Sequence, residues 1–346
     1  MSGGITQLVA VGAQDVHLVG NPEVSLFQSQ YKRHTNFAQL TDRQVIQGNP
    51  ADNGMSSVRL ERKGDLISHI YLTMVNGGSR VELSKADWRS AIDRIELLVG
   101  GQIIDTHYSE YSLNVHAVAC NTNYSKAEWG AAISDHAMYP LRFSFFEYLQ
   151  SAIPMVALQY HDVELRIYWG NLAGNTPECY ANFIYLDTDE REMFTSRPRD
   201  MLITQVTRMP APGTARADLN FNHPVKFIAS PSADGGDLSW FAANNKLKLQ
   251  INGVDLADFK LASPHFSEAP LFYNTSYADQ SALDALFLYA WATCIDKLQP
   301  TGSLNFSRID SARLISESGD IDTPIYAMNY NVLRIENGLG GLLYSN

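Results

Sequence analysis

Asp187, Asp189, Glu190 and Glu192 crowd around Arg191 within six residues. Carboxylates so close together could gather a divalent cation or share a proton as an acid/base pair. The same residues also spell a helix start: Asp187 can cap, Glu190 follows three residues on, and Phe194 closes the first turns. A run of charge is usually a solvated face. A capped helix start making ion pairs between subunits is therefore the preferred reading, and no metal centre is expected. The nine histidines include neither an H-x-H pair nor HExxH. His161, in Tyr160-His161-Asp162, and His223, just before Pro224, suit hydrogen-bonded structural roles. No G-x-S-x-G elbow, phosphate loop or dinucleotide fingerprint accompanies the serines and aspartates. Neither a catalytic set nor a cofactor is expected. Three sequons remain, at Asn123, Asn274 and Asn305. Asn305 falls in a predicted strand, so Asn123 (NTNYS) and Asn274 (YNTSY) are the candidate glycan positions. A chain made in the cytosol does not meet the oligosaccharyl transferase, and both are expected to stay unmodified.

Cys120, Cys179 and Cys294 are odd in number and widely spaced, as buried free thiols are in a reducing compartment. The net charge of −11 argues against holding a polyphosphate. The first 37 residues carry only Asp15, Glu23, Lys32 and Arg33, so no basic arm is available to neutralise nucleic acid. The apolar run Ala285 to Ile295 is about half of what a membrane span needs, and no secretory pattern opens the chain. A soluble, cytosolic product is expected. Only 18 % of residues are charged, while Tyr and Phe number 17 and 15. That balance suits either a large β-sandwich core or a surface buried against further copies.

The elements that would carry these residues read as strands. Ile95, Leu97 and Val99 alternate into Gly100-Gly101, a two-residue hairpin turn. Val163, Leu165, Ile167 and Trp169 alternate with Asp162, Glu164 and Arg166, giving one wet face. Helix is scarce: one from Asp187 toward Phe194, and a short one within 109–120. Gln299-Pro300-Thr301-Gly302 reads as a type I turn before a strand with Leu304 and Phe306 on one face. Tyr326, Met328, Tyr330 and Val332 share one face of a long strand. Asn329 and Asn331 share the other, which Leu333 and Ile335 then turn apolar. That pattern makes Tyr330→Asp costly and Asn329→Asp mild. Met209-Pro210-Ala211-Pro212-Gly213-Thr214 can hold neither helix nor ladder. It divides the chain into an extended arm (1–25), a first sandwich (26–208), a linker (209–216) and a second sandwich (217–346). The arm lacks a periodic apolar face, yet Ile5, Leu8, Val9 and Val11 give it something to bury against a neighbour.

Several of these segments share their wording with a known family. Gly3 to Leu8 (GGITQL), Gly20-Asn21-Pro22 and Phe27 to Phe37 (FQSQYKRHTNF) resemble the N-terminus of the major capsid proteins of nucleocytoplasmic large DNA viruses. Ile95 to His107 (IELLVGGQIIDTH), Pro154 to Ile167 (PMVALQYHDVELRI), Tyr185 to Arg191 (YLDTDER) and Leu219 to Val225 (LNFNHPV) match that family in order. The tail segments 299–310 and 326–338 complete the match nearly end to end. The resemblance implies an all-β double jelly roll, two consecutive eight-stranded sandwiches with few short helices. It further implies a homotrimeric, pseudo-hexagonal capsomer tiling an icosahedral virion shell assembled in host cytoplasm. The implied partners are other copies and minor capsid or penton proteins, without direct nucleic acid. The stretch 247–308 is short for a family that often carries long outward loops, so low towers are expected. Alternatives are a paralogous minor shell protein, a carbohydrate-binding β-sandwich using exposed Tyr and Trp, or a cupin-like enzyme, disfavoured by the missing histidine pair.

Overall fold

The computed structural model describes residues 3–120, 135–232, 238–241, 244–256, 258–276 and 286–345. The chain divides into two units, Met1–Asn36 and Phe37–Asn346. In the first, Gly3–Val9 and Val16–Val19 are short helices where an extended arm was expected, and the unit runs past residue 25. None of these helical residues is buried.

The larger unit opens with β1 (Phe37–Gln44), β2 (Ile46–Gln47), β3 (Met55–Arg59), β4 (Leu66–Asn76), β5 (Ser79–Val81) and β6 (Ile92–Val99). Then come β7 (Gln102–Tyr108), β8 (Met138–Pro140), β9 (Ile153–Pro154), β10 (Val163–Trp169) and β11 (Thr176–Leu186). One sheet orders these as β1-β11-β4-β5, with β8 and β9 also on β4; the other as β2-β3-β10-β6-β7. Along β10, Val163, Leu165, Ile167 and Trp169 are buried in strict alternation with half-exposed neighbours. The β6–β7 turn has both glycines at positive φ, 58° and 83°. A Cβ on Gly100 would also stand 2.3 Å from the His161 ring, so the position admits only glycine. Inward rows from the two sheets, such as Ile70 and Leu72 against Leu97 and Leu165, make the first core.

The second sandwich uses β12 (Arg199–Met209), β13 (Arg216–Asp218), β14 (Pro224–Pro231), β15 (Lys246–Ile251), β16 (Val254–Asp255) and β17 (Lys260–Leu261). It continues with β18 (Leu286–Ala290), β19 (Leu304–Asn305), β20 (Ala312–Ser316), β21 (Ile325–Glu336) and β22 (Leu339–Leu342). Its sheets run β12-β21-β14-β18, with β19 on β14 and β22 on β21, and β13-β20-β15-β16, with β17 on β15. Ile228, Phe287 and Ile325 face Leu247, Leu249 and Leu314 in its core. The architecture is a double jelly roll.

The proline-rich stretch after Met209 lies elsewhere than expected. β12, which precedes it, pairs along its whole length with β21. The stretch is thus a corner inside the second sandwich, where the chain leaves one sheet for the other. Gly213 N donates to Ile321 O there (3.0 Å). A segment that cannot join a ladder serves such a corner as well as it serves a linker. The chain passes between sandwiches through 187–198 instead, including the helix Thr188–Thr195 capped by Asp187.

Two strand expectations also change. The strand from Leu304 ends at Asn305, whose Oδ1 accepts from Ser307 N (3.0 Å) and opens a 3₁₀ turn, Phe306–Arg308. This is the usual competition of an Asn side chain with the ladder. β21 is the longer surprise. Its odd residues Ile325 and Ala327 belong to the second core, but Leu333 and Ile335 belong to the first. Between them, Asn329 and Asn331 are 1 % and 4 % exposed, where a wet face was expected. Asn331 Nδ2 donates to Gln205 Oε1 (2.8 Å) and Tyr344 O (2.9 Å), and Gln205 Nε2 in turn donates to Ile104 O of β7. The first sandwich and the chain's own tail cover that face.

Asn329→Asp should therefore cost at least about 2 kcal/mol, approaching Tyr330→Asp, because either carboxylate is buried and the Thr207 hydroxyl, 3.4 Å from Asn329 Oδ1, does not neutralise its charge. Chemical denaturation of the two variants checks this. Stability of Asn329→Asp indistinguishable from wild type would mean that the face is solvated after all.

Candidate assembly surfaces and the seam between sandwiches

The arm unit exposes its apolar side chains. Ile5, Leu8, Val9 and Val11, the residues proposed from sequence as an assembly surface, are all more than half exposed. Leu18, Leu26, Phe27 and Tyr31 are exposed with them. On the larger unit, Phe272 and Tyr273 both stand 77 % exposed with rings edge to face at 4.9 Å. Val254 and Leu256 are exposed near the β15–β16 turn. Large apolar side chains left in water are what a surface covered by a partner looks like.

The outer face of the first sandwich carries a short aromatic ladder. Tyr71 on β4 stacks on Tyr180 on β11 at 5.5 Å, and His69 stacks on Tyr71 at 6.5 Å. Partial burial holds the His69 imidazole below its ordinary pKa of 6.5. His136 is shifted the same way, chiefly by burial.

The two sandwiches meet across a seam that mixes aromatic and polar contacts. Tyr111, Val115 and Val118 from the first pack with Phe227, Leu288, Tyr326 and Met328 from the second. Asp105 Oδ1 accepts from Val206 N across the seam (2.9 Å), and its Oδ2 lies 2.9 Å from His107 Nε2. Tyr326 Oη donates to Glu110 Oε2 (2.9 Å). Burial and then Glu110 push that phenol far above its ordinary range. Tyr148 Oη donates to Asp296 O, and the Arg208 guanidinium sits 4.9 Å over the Tyr108 ring. At the other end, Gly340 lies so near Leu158 that a Cβ would come within 2.6 Å. His161 Nδ1 lies 2.9 Å from Gly340 O, a hydrogen-bonded structural histidine.

The remaining residues singled out by sequence do not converge. Asp187 is spent on Thr188 N (2.8 Å), and Arg191 pairs with Asp65 (2.9 Å) across to the first sandwich. No cluster of metal-ligating side chains exists among the described residues. His223 holds a turn at φ 64°, with its N–H donating to Ser307 Oγ (2.9 Å). Asn274 Nδ2 donates to Ala292 O (3.0 Å) and Thr293 O (3.3 Å), so the nitrogen a glycan would need is engaged. Asn123 lies outside the described residues. Cys120 and Cys179 are buried, which pushes both thiols up to about 12 and leaves them unreactive. No described helix is long and apolar enough to cross a membrane. Sequence reasoning missed the seam residues Asp105, Gln205, Lys226 and Asp296. For the first three the available signal was a charged or amide side chain inside a strand, as in Val225-Lys226-Phe227; Asp296, in the loop after β18, carried none.

Two sandwiches packed side by side, with apolar side chains left exposed, are the architecture of a double jelly-roll protein. Comparison with known proteins agrees. Residues 25–176 match the family model for the N-terminus of major capsid proteins. The major capsid protein of Pyramimonas orientalis virus is 32 % identical, and that of Paramecium bursaria Chlorella virus 1 is 30 % identical; both alignments cover all of each chain. Among solved structures, VP54 of PBCV-1 superposes with a TM-score of 0.76 at 26 % identity, over 93 % of this chain and all of that one. The faustovirus major capsid protein shares the fold, with a TM-score of 0.64 over 94 % of each chain at 11 % identity. The chain belongs to the major capsid proteins of the nucleocytoplasmic large DNA viruses, and its role is structural, in the capsid.

The His69 shift carries a sign. The folded state binds its proton less readily than the unfolded one. The stability this group contributes is therefore full above pH 6.5 and declines as pH falls from 6.5 toward the folded value. His69→Gln should flatten whatever fall in melting temperature this group causes between pH 7 and 5. Superimposable profiles for wild type and variant would rule out the assignment.

Proposed function

We propose that three copies of this chain form a trimer whose six sandwiches give a pseudo-hexagonal outline, and that such trimers tile an icosahedral virion shell. The observation that carries this reading is β21, which lends Leu333 and Ile335 to the first core while standing in the second sandwich. It makes the two sandwiches one rigid tile rather than two beads on a string. A chain of the quasi-atomic model of the PBCV-1 virus capsid is similar over 93 % of this chain, with a TM-score of 0.74 at 26 % identity. On this reading the functional divisions are an arm (1–36), a first jelly roll (37–186), a connector (187–198) and a second jelly roll (199–342). Ile5, Leu8, Val9 and Val11 of the arm bury against neighbouring tiles or against minor capsid and penton proteins beneath them. A net charge of −11 keeps the shell from gripping the genome, and the protein performs no reaction of its own. Assembly takes place in host cytoplasm.

Light scattering coupled to size exclusion tests the trimer. The purified protein should run at about three times 38.5 kDa in both low and high salt, because apolar contacts are not screened. A monomer at both salts would overturn the trimer, and a trimer that dissociates in salt would overturn its apolar origin.

Deleting residues 1–36 should leave the melting temperature within about 2 °C of wild type, since no described arm residue is buried. It should nonetheless abolish assembly of trimers into larger sheets or shells. Normal assembly by the truncated chain, seen by negative-stain microscopy, would remove the arm from the mechanism.

A further inference from the structure

Polar groups collect in the seam without enough partners. Lys226 on β14 is 2 % exposed; its ammonium donates to Lys297 O (3.1 Å) and stands 5.8 Å from the centre of the Tyr330 ring. Asp296 is 4 % exposed. Its Oδ2 accepts from Ser276 N (3.1 Å), while its Oδ1 has no partner among the protein atoms described. Both line one cavity of about 30 Å³, closed on the first-sandwich side by His116, Cys120, Glu147 and Tyr148. Two further buried atoms nearby, Tyr111 Oη and His107 Nδ1, also lack a protein partner. Tyr111 and His107 pack ring to ring (5.4 Å), and Tyr111 packs on His116 (6.1 Å).

We propose that this cavity is a hydration site, in which ordered water bridges Lys226 Nζ to Asp296 Oδ1 and ties the pair to the first sandwich. A water needs roughly 10–15 Å³ and two to four polar partners, so the cavity has room for about two and supplies the partners. Leaving the two groups dry would strand an ammonium short of acceptors and a carboxylate oxygen with none, a heavy cost in a buried site. Charge count selects water over an ion. Lys226 and Lys297 stand against Glu147 and Asp296 in its lining, so the cavity is neutral as it is, and an added cation or anion would unbalance it. The lining comes from both sandwiches, so the bridge acts as a joint that fixes their relative position. It does so with no direct ion pair between Lys226 and Asp296.

A density map of the full-length protein, at a resolution that shows ordered solvent, tests the site directly. Water density is expected within hydrogen-bond distance of both Lys226 Nζ and Asp296 Oδ1. Side chains collapsed into direct contact, a featureless cavity, or an ion at metal–oxygen distances would each overturn the proposal. Thermal melts of Lys226→Met, Asp296→Leu and the double variant supply the second readout. Each single change should lower the midpoint by roughly 5–10 °C, because it leaves the other charge stranded. The double variant should lose less than the two losses combined, since neither charge remains. Additive losses would show that no bridge couples the two groups. If a single variant fails to fold, the wild-type map alone decides.

Discussion

Leu333 and Ile335 sit in the core of a sandwich to whose sheets their own strand does not belong. The strand reaches that far because it is paired with β12 without interruption, from Met209↔Ile325 to Arg199↔Ile335. Side chains on a strand alternate strictly, so a slip of one residue would turn Leu333 and Ile335 out of the first core and Ile325 and Ala327 out of the second. Register in one ladder is thereby policed by two cores at once. Burying a leucine or isoleucine side chain is worth about 1.5–3 kcal/mol, so the penalty for a slip is many times thermal energy.

Around that strand the seam solves a problem that apolar packing alone leaves open. Aromatic contacts such as Tyr111 against Tyr326 hold the sandwiches together but tolerate sliding. Directional bonds do not. Val206 N on Asp105, Gln205 on Ile104 and Tyr326 on Glu110 each admit only a narrow range of positions. The mixture gives adhesion from one class of contact and alignment from the other. A capsid protein needs both, because an angular error within one copy is repeated in every copy.

Much of this was legible in the residues themselves. The alternation of 163–169 fixed which side chains face inward, and Gly100-Gly101 marked a hairpin whose positive φ angles the structure bears out. Asp187 capped its helix as its type suggests. What misled was ambiguity between a wet face and a buried polar one. Asn329 and Asn331 have the letters of a solvent-facing row, yet they are covered by elements far away in sequence, and one-dimensional alternation contains no information about what covers it. The break at Met209 failed for a related reason: residues unable to pair mark any change of direction, whether it separates two sandwiches or turns a corner in one. The seam's Lys226 and Asp296, 70 positions apart, become neighbours only once β14 and the loop after β18 are both placed.

The shared strand also sets a clock on biosynthesis. The first sandwich's own strands are complete at Leu186, but its core lacks Leu333 and Ile335 until the ribosome has delivered the end of β21. At about 5–20 residues per second that interval lasts roughly 8–30 s. Throughout it the nascent chain displays an unfinished apolar surface in a crowded polysome, beside other copies doing the same. A late-closing core of this kind favours release of the whole chain before copies begin to associate.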